Sequence, residues 1–177
     1  MRLWVPQSVV DRLKQELSKA LRREIGGVLV GEKVDSDQFR IADLSVQQTG
    51  GSAFQFVRNP AEHRLFLEQF FDRTGHDYER FNYLGEWHSH PHAIALPSHE
   101  DEAAMRNIVG DSDVGVHFAL LLISRLGAWR TLQLSATAFT KSHPPEAIEL
   151  VPEPGGGSSS SFRQVGFHRR RRFIRLV

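Results

Sequence analysis

The sequence predicts an α/β domain built on a mixed central β-sheet flanked by helices. Two observations carry this. Segments of strand character alternate with segments of helical apolar spacing through the first 140 residues. The length of 177 residues, about two-fifths apolar and a quarter charged, suits one soluble domain with a real core.

The elements run in order. "RLWVP" reads as a short strand ending at Pro6. A helix comes next, with Val9, Leu13, Leu17 and Leu21 at helical spacing and Pro6 suited to its N-terminus. "EIGGVLVGEKVDSDQFRIADLSVQ" reads as a hairpin with arms 25–30 and 38–46 and "KVDSD" as its turn. "TGGSA" at 49–53 reads as a loop. A helix over "NPAEHRLFLEQFFDRTG" places Leu65, Phe66, Gln69 and Phe70 on its pattern and stops at Gly75. "FNYLGEWHSH" is a strand, and "SHEDEAAMRNIVG" a helix with Gly110 as its stop. "VHFALLLIS" and "WRTLQLSATAF" are two strands around an "RLGA" turn. No internal repeat is visible.

The domain is expected over 1–150. A Pro/Gly/Ser-rich linker, 151–161, and a basic-apolar tail, 162–177, come after it. Six of the 22 basic residues are arginines in the last fifteen positions. The remaining 16 stand against 21 acidic residues, so an acidic body carries a basic tail. That balance weighs against nucleic acid as the partner of the main body. No apolar run is long enough to span a bilayer, and the N-terminus lacks a secretory signal pattern. There is no cysteine, which excludes disulfides, thiolate metal sites and cysteine nucleophiles. A cytoplasmic location fits.

The chemistry concentrates in "GEWHSHPHAIALPSHEDE", residues 85–102. On a strand, positions i and i+2 share a face, so His88 and His90 project together. Asp101 comes after ten intervening residues, in the first turn of a helix, with Pro91 and Pro97 bounding the loop between. Two imidazoles and a carboxylate suit Zn²⁺ and leave a position open for water. "Ser98-x-x-Asp101" is equally a capping-box-like helix start. His92, His99, Glu100 and Glu102 are further candidate ligands, and Glu86 shares the strand face of His88. Trp87 faces away and reads as core. Trp4, Phe66 and Phe70 read as packing, and His63, His76, His117 and His143 as structural or exposed. A zincin helix is excluded because Ala103 stands where its second histidine belongs. A zinc deaminase is excluded for want of cysteines.

The pattern His88, His90, Pro91, Ser98, Asp101 resembles the JAMM motif of the MPN+ (JAB-type) metalloproteases, with "REIGGVLVG" at 23–31 placing Glu24 at the family's upstream glutamate. The resemblance runs over roughly residues 2–140, and "GEWHSHP" is similar to bacterial JAB proteins. It implies the MPN, cytidine-deaminase-like, fold. It implies Zn²⁺ held by His88, His90 and Asp101. Glu24 becomes the general acid/base that activates the zinc-bound water, and Ser98 an oxyanion donor. The function implied is that of a deubiquitinase-like JAMM zinc (iso)peptidase. It would cut after the C-terminal tail of a ubiquitin-like protein, or of a protein carrying one, as in bacterial antiviral (CBASS) operons with E1- and E2-like partners. Trimming of a sulfur-carrier precursor, or a non-catalytic MPN scaffold, are the alternatives. The tail admits three readings: a solvated basic arm, an arm for nucleic acid or anionic membrane, or a tethered target peptide.

Overall fold

The computed structural model describes residues 1–47, 60–112, 115–153 and 162–167 and, for 60–62, the backbone alone. The expected loop at 49–53, most of the linker and residues 168–177 lie outside the described residues.

A mixed sheet organises the fold. Its strands are β1 (Arg2–Val5), β2 (Gly26–Asp35), β3 (Gln38–Leu44), β4 (Phe81–Ser89), β5 (Phe118–Leu126), β6 (Leu132–Thr140), β7 (Glu146–Ala147), β8 (Glu149–Pro152) and β9 (Phe162–Gln164). The order across the sheet is β7-β6-β5-β4-β2-β3-β1-β8, and β9 pairs with β6. β1 pairs in parallel with both β3 and β8, and β4 with β5, while the β2–β3, β2–β4 and β5–β6 pairs are antiparallel. The helices are α1 (Gln7–Ala20), α2 (Pro60–Arg73) and α3 (His99–Gly110).

β5 shows why the central run is so apolar. Alternate residues of a strand point to opposite faces. Leu120 and Leu122 join one cluster with Val9, Leu13 and Leu17 of α1, whereas Leu121 and Ile123 join another with Met105 and Val109 of α3. The two helices therefore cover opposite faces, and positions 119–123 of β5 between them are all apolar. α2 leans on β2 and β4.

The sequence-based hairpin is longer than expected, because β2 continues to Asp35. Its pairing with β4 slips between Leu29 and Val30, opposite Gly85 and Tyr83, so Leu84 is an extra residue on β4. Gly85, at φ 148°, sits at this bulge, and a Cβ there would overlap the Leu120 carbonyl oxygen. The bulge sets the facing of the rest of the strand, placing Trp87 in the α1-side core and His88 away from it.

Two placements differ from the expected boundary near residue 150. β8 straddles it and pairs with β1, and Phe162–Gln164, the start of the tail, joins the sheet as β9. Strands of three or four residues in parallel edge pairs carry almost no periodic signal, which is why the composition shift dominated the reading.

Candidate metal centre

The parallel strands β4 and β5 end together, with His88 opposite Ile123 and Ser89 opposite Ser124. Just beyond β4, the His90 N–H donates to the Ser124 carbonyl (2.9 Å), and the Ser124 hydroxyl donates to the His88 carbonyl (3.3 Å). β5 thus fixes the backbone on which both imidazoles stand. Both are largely buried, at 8% and 7% exposure. Trp87 points the other way, fully buried, its indole N–H donating to the Ser45 carbonyl at 2.7 Å.

The helix start faces this strand end. Ser98 caps α3, its hydroxyl accepting the Asp101 N–H at 3.1 Å, while Oδ2 of Asp101 accepts the Ser98 N–H at 2.7 Å. Both bonds of the capping box are present. The same carboxylate reaches the imidazoles. His88 Nε2 lies 3.0 Å from Oδ1, His90 Nε2 lies 3.4 Å from Oδ2, and the two Nε2 atoms are 3.2 Å apart. Capping and clustering are therefore one arrangement rather than competing readings.

These separations test the fit to a metal. For ligands about 2.0–2.1 Å from zinc, the edge of a tetrahedron is about 3.3 Å. The two imidazole nitrogens stand near that spacing from each other, and each stands near it from one oxygen of the Asp101 carboxylate. No other three His, Asp or Glu residues among the described ones gather their donor atoms within 4.8 Å of one another. The His90 Nδ1 meets the Ile94 carbonyl at 3.1 Å. A carbonyl only accepts, so Nδ1 carries the proton, and in the neutral ring Nε2 keeps its lone pair toward the cluster.

Glu24 lies in the connection between α1 and β2. The Ile25 N–H donates to Ser89 Oγ (3.0 Å), and the Ser89 N–H donates to the Ile25 carbonyl (2.8 Å). This pair of bonds ties the residue after Glu24 to the residue between the two histidines. Burial raises the Glu24 pKa above its ordinary value, against the opposing pull of His90 and His88. For Asp101, burial pushes upward, but bonds from both imidazoles and the Ser98 N–H outweigh it, and the carboxyl is held well below the usual range. For His90, burial pushes downward, but the bonds to Asp101 and the Ile94 carbonyl prevail and raise it.

The other candidates fall elsewhere. His99 and Glu100 are exposed, and Glu102 pairs with Arg106 at 3.0 Å. His92 Nε2 bonds the Arg22 carbonyl (3.2 Å), joining the 91–97 loop to the segment that carries Glu24. Glu86 is half-buried on β4 and outside the donor cluster. His63 is buried and bonds Ser45 Oγ through Nδ1 (2.8 Å), a structural role as expected. Three contributors carried no sequence signal: the Ile94 carbonyl, Ser124 and the Ser89 hydroxyl. A cavity of about 560 Å³ lies at the far end of the sheet, lined by Gly31, Tyr78, Tyr83 and Phe118. It is about six residues along β4 from the cluster, roughly 20 Å, so this cavity and the chemistry are separate.

A mixed sheet thus gathers two imidazoles and a carboxylate at a strand end, within electrostatic reach of the Glu24 carboxyl, a donor set that suits a metal ion. The profile of the prokaryotic homologs of the JAB domain matches residues 6–135, and the chain belongs to that family. It is 30% identical over 150 residues to a CD-NTase/cGAS isopeptidase of Enterobacter hormaechei, covering 83% of this chain and 80% of that protein. It is 30% identical over 112 residues to a CD-NTase/cGAS isopeptidase of Vibrio cholerae, covering 62% and 67%. A Sinorhizobium fredii protein named a probable metalloprotease is 29% identical over 110 residues, and the match spans 65% of its length. A solution structure from Desulfitobacterium hafniense superposes with a TM-score of 0.62 at 21% identity, covering 85% of this chain and 92% of that one. The fold is the MPN fold, and the chain is a JAB-type peptidase, a hydrolase. No helix among the described residues is long and apolar enough to cross a membrane.

Proposed function

We propose that the chain is a zinc-dependent isopeptidase that releases a ubiquitin-like protein from a conjugate by hydrolysing the bond after its C-terminal tail. One observation carries the proposal: the Nε2 atoms of His88 and His90 stand 3.2 Å apart and face the two oxygens of the Asp101 carboxylate at 3.0 and 3.4 Å, so two imidazoles and a carboxylate gather at one point, as zinc ligands do. Zinc, when bound, supplies a Lewis acid that makes water acidic near neutral pH and polarises a carbonyl. The chain's own residues do the rest. Glu24, its pKa raised by burial, takes the proton of the attacking water and hands it to the leaving amine. A positioned base of this kind contributes about 10²–10⁴-fold. Ser98 accepts the Asp101 N–H, which leaves its own O–H to donate to the oxyanion. The names of the two isopeptidase relatives favour a conjugate whose target is a CD-NTase-like enzyme, and the antiviral role beside E1- and E2-like partners is what the family resemblance implies. They favour deconjugation over trimming of a sulfur-carrier precursor. The full donor set with Glu24 favours an enzyme over a scaffold.

The test is cleavage of a ubiquitin-like fusion and of a lysine-linked conjugate, with and without chelator. Both are expected to be cut, chelator to stop the reaction and zinc to restore it. Undiminished turnover by Glu24→Gln would sink the acid/base assignment.

A further inference from the structure

The start of the C-terminal tail runs from the sheet edge to the loop beside the metal ligands. Phe162, Arg163 and Gln164 pair in parallel with Leu132, Gln133 and Leu134 of β6. Phe162 is 7% exposed, in the same cluster as Leu132, Leu134 and Leu150. The Gln164 side chain fastens the segment a second way. Its amide donates to the Ile148 carbonyl (2.7 Å), and its oxygen accepts the Leu150 N–H (3.0 Å). The Val165 N–H donates to the Leu134 carbonyl at 2.8 Å.

Beyond that anchor the segment crosses to the other core. Val165 packs against the α3-side cluster that contains Ala95, Met105 and Ile123. Gly166 turns at φ 75° directly against Leu96, where a Cβ would overlap Leu96 Cδ2. Ala95 and Leu96 belong to the 91–97 loop, which has no regular secondary structure. The Leu96 N–H donates to the Ile94 carbonyl at 2.8 Å, and that same oxygen meets His90 Nδ1 at 3.1 Å. A chain of contacts therefore runs from Gly166 to Leu96, to the Ile94 carbonyl and to the ring of His90.

We propose that residues 162–167 are a strap whose Val165 and Gly166 position His90 as a metal ligand, by pinning the turn that aims the Ile94 carbonyl at its Nδ1. The inference rests on the zinc reading above. A carbonyl that fixes the proton on Nδ1 sets both the ring's orientation and the availability of Nε2, and losing such outer partners typically weakens metal binding about 10–100-fold. Val165 and Gly166 touch no reacting group, so they are positioning residues. The contact also accounts for glycine at 166. A left-handed φ admits few side chains, and a β-branched one least of all.

The test measures zinc affinity by competition with a chelator, using zinc alone as the probe. Four samples are compared: the full chain, Gly166→Val, a chain ending at Glu153, and that shortened chain with a synthetic peptide of residues 162–177. Gly166→Val leaves β9 and Phe162 in place, so it decides the matter if the shortened chain does not fold. The expected result is zinc binding about tenfold or more weaker in Gly166→Val and in the shortened chain, with the peptide restoring the latter. In metal-free protein, the His90 Nδ1–H resonance seen by NMR in the full chain is expected to broaden or vanish in Gly166→Val. Zinc affinity unchanged in Gly166→Val overturns the strap and leaves the zinc reading standing. Tighter binding or faster cleavage on shortening also overturns it, since the tail then covers the site instead of supporting it. Failure of the full chain to bind zinc removes the zinc reading and the strap together.

Discussion

Ser98 offers the sharpest separation of structure from chemistry, because one hydroxyl caps α3 and is proposed to serve the chemistry as well. It accepts the Asp101 N–H at 3.1 Å in the capping box of α3, and its own proton is proposed to meet the oxyanion. Ser98→Ala removes both functions. The lost cap costs about 1 kcal/mol, within a usual range of about 0.5–2. Asp101 keeps its bond to the Ser98 N–H at 2.7 Å, so the other half of the box survives. With a urea slope of about 2 kcal/mol per molar, the unfolding midpoint of chelated protein falls by about 0.5 M. Loss of one oxyanion donor lowers kcat by about 10²–10³-fold. Ser98→Gly divides the two effects. Glycine caps a helix start with a loss of only a few tenths of a kcal/mol, but it has no hydroxyl. Its unfolding midpoint should stay near that of the unchanged protein while its kcat falls as far as in Ser98→Ala. Ser98→Thr should retain much of both. Turnover by Ser98→Gly within about threefold of the unchanged protein would refute the oxyanion role, and an unshifted midpoint in Ser98→Ala would refute the cap.

Other consequences are open to simple measurement. Zinc that binds the folded chain alone stabilises it by about 2.7 kcal/mol at a hundred times its dissociation constant, so a melt in chelator should shift down and zinc should reverse it. In metal-free protein the folded pKa of Asp101 is depressed, so its stabilisation is present above the unfolded value of about 3.9 and fades as pH falls toward the folded one. His90 is raised, so its share is present below about 6.5 and is lost as pH rises through its folded value. The pair should thus stabilise metal-free protein most between about pH 4 and 6.5, and Asp101→Asn should flatten that maximum in denaturant titrations at several pH values. Trp129, at the tip of the β5–β6 hairpin, is 98% exposed with φ 56°, next to Arg130 at φ 55°. Asparagine tolerates that region better, and the ring buries almost nothing, so Trp129→Asn should raise the melting temperature slightly. A lowered one would show that the ring packs.

Legibility in the sequence depended on how each feature is encoded. The helices and long strands announced themselves because their burial is one-sided or complete: Val9, Leu13 and Leu17 recur on the buried face of α1, and β5 is apolar throughout its centre. The clustering of His88, His90 and Asp101 was legible because a strand end and one helix start leave a fixed spacing. The parts that escaped are backbone groups and short edge pairs. The Ile94 carbonyl orients His90 whatever side chain residue 94 bears, so no residue type betrays it. β9 is three residues long and lies past a Gly/Ser run, and its pairing depends on Gln164 reaching the Ile148 and Leu150 backbone across the sheet edge. Trp87 was readable as core, whereas its indole bond to the Ser45 carbonyl needed the two strands brought together.

The contacts among His88, His90 and Asp101 also show what holds this cluster together. Three polar groups that would lose solvation in a largely buried spot stand 3.0–3.4 Å apart, each imidazole Nε2 facing an oxygen of Asp101. A raised His90 and a lowered Asp101 are two sides of that contact. The cost of desolvating a carboxylate is offset by two imidazole bonds and one backbone N–H, and the last of these also begins α3. A metal ion held at this point would displace protons from ligands already gathered, so its binding would release protons and strengthen as pH rises through the range in which His90 titrates. The supports that remain when those protons leave, namely the Ile94 carbonyl, the Ser124 hydrogen bonds and the Ser98 cap, must hold the ligands by themselves.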